Sequence, residues 1–266
     1  MRRLPARWRL VVASAAAIVV GGCDLPTFFA PDARSEQGES VLSLWQGFFL
    51  IALGVGALVY GLIIYSLVRY RRRTNDLPYQ GAYNIPVEIV YTVTPILVVA
   101  ALFGVTVAVE VDTTETTDDP EARIEVTGFQ WSWRFTYPDE GVSIVGTPEE
   151  PPEMVIPVGV PTQLELVSSD VNHSFWVPDF LTKRDLIPGV DNTIDVTPTE
   201  EDTYIGRCAE FCGLDHWRML FTVRVVPEEE YRAWLDEQRA QQGDGQDLQQ
   251  TSGQGTGRTV AGASRP

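Results

Sequence analysis

This 266-residue sequence predicts a two-helix transmembrane hairpin followed by an all-β Greek-key barrel or sandwich. The apolar residues before position 110 gather in three stretches, and the second and third are long enough to cross a bilayer. Residues 123–226 instead contain short runs rich in Val, Ile, Thr and aromatic residues, separated by Gly, Pro and Asp turns. Strands at this spacing are typical of an antiparallel sandwich or barrel of about one hundred residues.

The first apolar stretch predicts an export signal and a lipid anchor. Four arginines precede an apolar run from Leu10 to Val20, which is too short for a span and is typical of a signal peptide. Small residues and Cys23 follow, in an order similar to a bacterial lipoprotein signal, in which the cysteine is acylated. We therefore predict a signal peptide over residues 1–22 and an external segment over 23–40. An ordinary signal peptide, or a span with an incidental cysteine, is the alternative.

The next two stretches predict spans over about residues 41–68 and 86–109, within a hairpin of residues 41–110. The first carries no formal charge, and at about 1.5 Å per residue it exceeds a hydrocarbon core of about 30 Å. The intervening turn, residues 69–85, opens with RYRRR, and arginines clustered beside a span stay on the cytoplasmic side. The β region is therefore expected on the outer face of the membrane.

The outer face is strongly acidic. Without the signal peptide, the inner turn and Glu88 beside that turn, it carries 12 basic and 34 acidic residues. A field this negative attracts a basic protein partner and repels nucleic acid, which we exclude as a partner. The solubility of an exported domain would produce the same balance.

The outer region divides by composition. Residues 111–121 are predicted to be a solvated linker, and residues 122–226 form the β domain. Residues 227–241 begin with proline and acids and contain arginines later, which indicates a closing helix. The Gln- and Gly-rich residues 242–266 are predicted to be disordered.

The sequence CAEFCGLDHWRM, residues 208–219, predicts a metal site. With the distant His173 it gathers both histidines of the chain and two of its three cysteines. Thiolate, thioether and imidazole ligands favour copper over hard cations. Their order is that of a mononuclear blue-copper site, and the added cysteine would let two thiolates bridge two copper ions. The candidate side-chain ligands are His173, Cys208, Cys212, His216 and Met219.

Three other interpretations of this loop were weighed. The two cysteines could form a disulfide in an oxidising compartment, which leaves Met219 and the paired histidines without a role. Zinc bound by two cysteines and two histidines leaves the methionine unused. A structural role is common for a lone histidine, but these histidines are not alone.

The loop closely resembles the binuclear copper loop of subunit II of cytochrome c oxidase, a heme-copper terminal oxidase. The resemblance covers residues 41 to about 240: a hairpin of two spans precedes a cupredoxin-like domain, the aromatic strand appears as FQWSWRFTY, and DFLTKRDLIPG stands at residues 179–189. It implies a subunit that accepts electrons from cytochrome c and passes them to heme in subunit I, where oxygen is reduced to water and protons are pumped. This chain would perform no bond chemistry alone.

The resemblance also implies individual roles. The five side chains hold the two copper ions, and Glu210 adds its backbone carbonyl, while its carboxylate helps hold a magnesium or manganese ion shared with subunit I. Trp131 matches the surface tryptophan that receives the electron, although it and Trp133 could be core residues of a strand. Glu88 matches a glutamate at the inner mouth of a proton path, although an acid is favourable at any helix start.

The resemblance implies further partners and a location. Subunits I and III, a cytochrome c and the lipid bilayer are the expected partners, and the heme groups and a third copper belong to subunit I. The chain would be multi-pass in a bacterial plasma membrane, with the copper domain outside. Tyr91 and Phe129 stand where the family usually has Trp and His, and Arg207, Trp217 and Arg218 are unusual neighbours of the metal loop.

The alternative function is that of a membrane-anchored copper carrier or an oxidase assembly factor. A carrier would more plausibly show an open, methionine-rich site than ligands from two distant segments. A quinol-oxidising relative would lack the copper ligands. Nitrous oxide reductase has the same loop but resembles a larger, soluble enzyme without this hairpin.

Overall fold

The computed structural model describes residues 25–253 apart from positions 74, 76, 78 and 119, with side chains described as far as residue 242. The predicted signal peptide and the predicted anchor Cys23 lie outside the described residues.

Two long apolar helices form the hairpin: α1, Glu36–Arg69, and α2, Ile85–Thr114. Both are long and apolar enough to cross a membrane, and they contain the two predicted spans. The Ser35 hydroxyl begins α1 by accepting the Gly38 N–H, and the Asn84 side chain does the same for Val87 at the start of α2. These caps satisfy N–H groups that the first turn of a helix leaves free.

Ten strands form two five-stranded sheets. The first sheet has the order β3-β2-β1-β5-β8, and the second sheet has the order β4-β10-β9-β6-β7. The strands are β1 Ala122–Phe129, β2 Ser132–Tyr137, β3 Val142–Val145, β4 Glu153–Pro157, β5 Thr162–Ser168, β6 His173–Val177, β7 Thr182–Leu186, β8 Asn192–Val196, β9 Thr203–Cys208 and β10 Leu220–Val226.

Two strand pairs depart from the antiparallel arrangement that is typical of such a sandwich. Strand β1 pairs with β5, and β4 with β10, in parallel. Parallel neighbours need a long connection, and the strands that lie between each pair in the chain supply it. The all-β sandwich itself is confirmed.

The inner faces of the two sheets bury an aromatic core. Trp133 from the first sheet packs edge-on against Phe221 at 5.1 Å between ring centroids, and Phe221 stacks on Phe175 at 4.8 Å. All three side chains are buried. Gly206 makes room for this cluster, because a Cβ there would lie 2.0 Å from the Phe221 ring.

The last helix, α3, spans Glu228–Gly253 and continues past the end predicted at residue 241. Tyr231 and Leu235 bury one face of its first half. The Gln242 amide accepts the Ser143 N–H at 3.3 Å and donates to the Ser143 carbonyl at 3.1 Å. These contacts hold Gln242, the first residue of the segment for which composition alone indicated disorder, against the edge strand β3.

Residues at the start of the hairpin and residues that follow it both form hydrogen bonds with the β domain. Ser35 donates to the Phe180 carbonyl at 2.9 Å, and the Glu36 N–H donates to the Thr197 carbonyl at 3.0 Å. After α2, the Thr117 N–H donates to the Asp195 carboxylate at 2.6 Å. The predicted linker is therefore tied to strand β8 and is not simply solvated.

Candidate metal centre

The candidate ligands meet because β6 and β9 are neighbours in the second sheet. His173 begins β6 and Cys208 ends β9, where Phe175 lies opposite Cys208. The loop after Cys208 returns to β10, and the Cys208 N–H donates to the Met219 carbonyl at 3.0 Å. Both ends of the loop are thus held by strand pairing, beside the strand that supplies His173.

The sulfur and imidazole atoms lie within metal-binding reach of one another. The Sγ atoms of Cys208 and Cys212 are 3.8 Å apart. Cys212 Sγ lies 3.6 Å from His216 Nδ1 and 3.7 Å from Met219 Sδ. Cys208 Sγ lies 3.9 Å from His173 Nδ1. The structure therefore brings all five predicted side chains together, each histidine against a different cysteine.

The surroundings of the two thiols favour a bound cation. Burial raises the pKa of Cys208, but hydrogen bonds with His173 and with the backbone of Glu210 and Ser174 outweigh it and lower the pKa to about 7. Burial and the neighbouring Cys208 raise the pKa of Cys212 to about 12. Two adjacent buried thiolates therefore need a positive charge between them, which a metal supplies. Soft sulfur and imidazole donors fit copper.

The imidazole of His173 is fixed from two sides. Its Nε2 lies 2.8 Å from Asp170 Oδ1, which leaves Nδ1 facing Cys208. Such a carboxylate partner orients a metal-binding histidine and sets its tautomer. Gly128 makes room for the ring, since a Cβ there would lie 3.1 Å from His173 Cδ2. Sequence reasoning missed Asp170, although it stands three residues before the histidine.

The two tryptophans of the aromatic strand have different surroundings. Trp133 is buried in the core and donates its Nε1–H to the Met219 carbonyl at 3.3 Å. Trp131 is partly buried at the edge of the core, and its Nε1–H donates to the Cys212 carbonyl at 3.3 Å. Gln130 donates to the same oxygen at 2.7 Å. Sequence reasoning missed Gln130, whose only signal is its position beside Trp131.

Glu210 and Glu88, the two glutamates with predicted roles, make different contacts. The Glu210 carbonyl is 3.2 Å from Cys208 Sγ, and its side chain is exposed. The Glu88 carboxylate accepts the Asn84 N–H at 2.9 Å and so caps the start of α2. This capping agrees with the simpler interpretation of Glu88 as a helix-start acid.

Large exposed side chains form the outer surface of the metal loop. Phe211, Leu214 and Trp217 are exposed by 79%, 81% and 74%. The Arg218 guanidinium lies 5.8 Å from the Trp217 ring centroid and binds the Glu149 carboxylate at 2.7 Å. These contacts tie the metal loop to the connection between β3 and β4.

Arg207 also contacts an aromatic side chain. Its guanidinium lies 5.5 Å from the ring centroid of Trp176 on the adjacent strand β6. The arginines beside the metal loop thus contact an acid or aromatic rings.

The chain matches known proteins over most of its length. Residues 25–107 match the transmembrane domain of cytochrome c oxidase subunit II, and residues 148–226 match its periplasmic domain. A probable cytochrome c oxidase subunit 2 from Streptomyces avermitilis is 38% identical, covering 88% of each chain. Cytochrome c oxidase subunit 2 from Mycobacterium tuberculosis is 32% identical, covering 84% of this chain and 79% of the relative.

Among solved structures, the periplasmic domain of subunit II from Bradyrhizobium japonicum aligns with 47% of this chain and 99% of its own length, at 29% identity and a TM-score of 0.44. The sequence matches alone establish the family, and the two matched regions correspond to the apolar hairpin and to most of the β sandwich. The chain, membrane-anchored and with its β domain outside, belongs to the cytochrome c oxidase subunit II family.

Proposed function

We propose that this chain accepts electrons from a cytochrome c and delivers them, one at a time, to heme in subunit I of a proton-pumping cytochrome c oxidase. One observation carries the proposal: two buried cysteine sulfurs 3.8 Å apart, flanked by two histidines and a methionine, in the outer domain of a membrane-anchored chain. The chain itself makes and breaks no covalent bond, and oxygen is reduced to water in subunit I.

Two copper ions held by these residues would supply a centre that gains and loses one electron with little change in geometry. The protein would hold the donor atoms in fixed positions and exclude water from them. Cys208, Cys212 and Met219 are buried, and Asp170 orients the His173 ring. The proposed ligands are the side chains of His173, Cys208, Cys212, His216 and Met219 and the backbone carbonyl of Glu210.

Electrons would enter through Trp131. Its ring is partly buried, and its Nε1–H contacts the backbone of the ligand Cys212. An aromatic side chain with one edge at the surface and the other bonded to a ligand residue is well placed between a docked donor and the metals. The acidic outer face would attract a basic cytochrome.

The remaining roles follow from the family. The exposed Glu210 carboxylate would face subunit I and help hold a magnesium or manganese ion, and subunit III would complete the assembly. Heme and a third copper would lie in subunit I. We place the complex in a bacterial plasma membrane, with Glu88 at the inner mouth of a proton path and an acylated Cys23 as an outer lipid anchor.

Electron paramagnetic resonance of the full-length chain loaded with copper tests the proposal. We expect two copper ions per chain and a hyperfine pattern from one electron shared equally by two nuclei. Cys212→Ser should abolish the shared pattern while the fold is retained. A mononuclear pattern, or copper that a mild chelator removes at once, would instead favour the copper carrier or assembly factor.

A further inference from the structure

The carbonyl oxygen of Cys212 accepts two side-chain hydrogen bonds from the turn between β1 and β2. The Gln130 amide donates at 2.7 Å and the Trp131 indole donates at 3.3 Å. A carbonyl oxygen has two lone pairs, so it can accept both donors at once. The shorter bond belongs to Gln130, a residue that the proposed function leaves without a role.

The turn that carries these donors is itself held in place. The Gln130 N–H donates to Asp170 Oδ2 at 2.8 Å, while Asp170 Oδ1 contacts Nε2 of His173. One residue therefore connects both sources of ligands: its backbone reaches the segment of His173, and its side chain reaches the loop of Cys212.

The backbone that follows Cys212 has wide conformational freedom, because the next residue is a glycine. Gly213 follows with φ +125°, a conformation available to glycine and strained for other residues. A Cβ at Gly213 would lie 3.1 Å from both Gln130 Nε2 and Trp131 Nε1. The orientation of the Cys212 carbonyl thus depends on its hydrogen bonds, chiefly on the shorter one from Gln130.

We propose that Gln130 is a positioning residue that holds the Cys212 carbonyl against the Trp131 indole and so sets the rate of electron transfer into the metal centre. The inference rests on the proposed function. In the step concerned, one electron leaves a ferrous cytochrome, which becomes ferric, and the copper centre is reduced by one electron. No proton or atom is transferred. Tunnelling decays less through hydrogen and covalent bonds than through a gap, so a rotated carbonyl would slow the step.

The test uses the full-length chain in detergent, loaded with copper, and reduced mitochondrial cytochrome c as the electron donor. Gln130→Met keeps the length of the side chain and removes the amide donor. We expect the bimolecular rate to fall about fivefold to tenfold, less than the roughly hundredfold loss that a displacement of about 1 Å can cause. Copper content, the hyperfine pattern and the ionic-strength dependence should stay unchanged, because ligands and charge are unchanged.

A double-mutant cycle separates positioning from a general structural effect. Trp131→Phe should slow the transfer, and adding Gln130→Met to it should slow it no further, since the contact is already lost. Gln242→Met, which removes another glutamine bound to backbone atoms, is the matched control and should leave the rate unchanged. If Gln130→Met loses copper, Gln130→Glu, with the same shape and no amide donor, takes its place in the cycle.

The outcomes distinguish this inference from the proposed function. A normal rate in Gln130→Met beside a slow Trp131→Phe would overturn the role of Gln130 and keep Trp131 as the electron acceptor. Additive losses in the double variant would also overturn it, because the two residues would then act independently. Normal rates in both single variants would refute the route through Trp131 and the inference with it.

Discussion

The hydroxyl of Tyr137 bonds both backbone polar groups of Val155: it accepts the N–H at 2.9 Å and donates to the carbonyl at 3.0 Å. Tyr137 belongs to β2 in the first sheet, and Val155 belongs to β4 at the edge of the second sheet. Both residues are buried, so neither backbone group has water as a partner. The Tyr137 hydroxyl therefore links β2 of the first sheet to the edge strand β4 of the second sheet.

We expect Tyr137→Phe to lower the free energy of unfolding by about 2 kcal/mol, because it leaves a buried N–H and a buried carbonyl without partners. Chemical unfolding of the full chain in detergent, followed by circular dichroism, measures the change. Tyr231→Phe is the control, since the described residues show no hydrogen bond of its hydroxyl. Equal losses in the two variants would mean that the loss of a buried hydroxyl, and not of the Val155 contact, is responsible.

Gly213→Ala should damage the metal loop. An alanine at φ +125° is strained, and its Cβ would lie 3.1 Å from Gln130 Nε2 and Trp131 Nε1, a mild steric collision that requires these side chains to shift. We expect a loss of about 2 kcal/mol or more in unfolding free energy and weaker copper retention during dialysis against a chelator. The matched control is Gly141→Ala, which has φ +67° in open space and should cost about 1 kcal/mol with copper retained. Equal copper loss in both would contradict the collision.

The hairpin, the sandwich and the convergence of the ligands were predictable because each leaves a local pattern. Apolar length marks the helices, alternation marks the strands, and rare residue types mark the metal loop. The contacts that orient the site leave no such pattern. Gln130 and Cys212 are 82 positions apart. Gln130 lies between β1 and β2 of the first sheet and Cys212 lies between β9 and β10 of the second, so the packing of the two sheets brings them together. Glutamine at a turn is common, so its type carries no signal either.

The parallel strand pairs were not predictable for a similar reason. The alternation of buried and partly buried residues in the first half of β1 is compatible with a parallel or an antiparallel neighbour. The choice of β5 as that neighbour depends on how the intervening strands fold back, which is a property of the whole domain. The Tyr137–Val155 contact depends on the same arrangement, since β4 is an edge strand only in this topology.

Copper removal should destabilise the β domain. The two thiols lie 3.8 Å apart with pKa values of about 7 and about 12, so without a metal at least one stays protonated near neutral pH. A metal bound only by the folded state stabilises by mass action, by about 3 kcal/mol at a hundredfold excess over its dissociation constant. We expect calorimetry to show a thermal midpoint at least about 5 °C higher with copper than without. Cys212→Ala should abolish the difference, and a persistent shift would indicate copper bound elsewhere.

The junction between the hairpin and the β domain depends on Asp195. Its carboxylate accepts the Thr117 N–H at 2.6 Å and the Gln163 amide at 3.2 Å. Asp195→Ala should free the linker after α2, and limited proteolysis should then cleave within residues 115–121 several times faster. Asp195→Asn keeps an acceptor oxygen and should be cleaved at nearly the original rate. Unchanged cleavage in Asp195→Ala would show that other contacts hold the linker.

Asp185 should make stability depend on acid pH. Its Oδ1 accepts hydrogen bonds from Ser174 at 2.7 Å and Lys183 at 3.0 Å, and these partners lower the pKa of the carboxyl below its usual value. A lowered folded-state pKa means that the carboxylate stabilises the fold above the unfolded-state pKa of about 3.9 and that this gain is lost as the pH falls through the folded-state pKa. The side chain is 41% exposed, so water screens the interaction and the gain is at most about 1 kcal/mol.

Unfolding free energies at pH 7 and pH 3 for Asp185→Asn measure this contribution. The variant should be less stable than the parent at pH 7 and close to it at pH 3, because acid removes the same charge from the parent. Asp191→Asn is the control, since this exposed acid has no ion pair among the described residues, and its difference from the parent should not change with pH. A deficit of Asp185→Asn that is as large at pH 3 as at pH 7 would assign the effect to packing and not to the carboxylate.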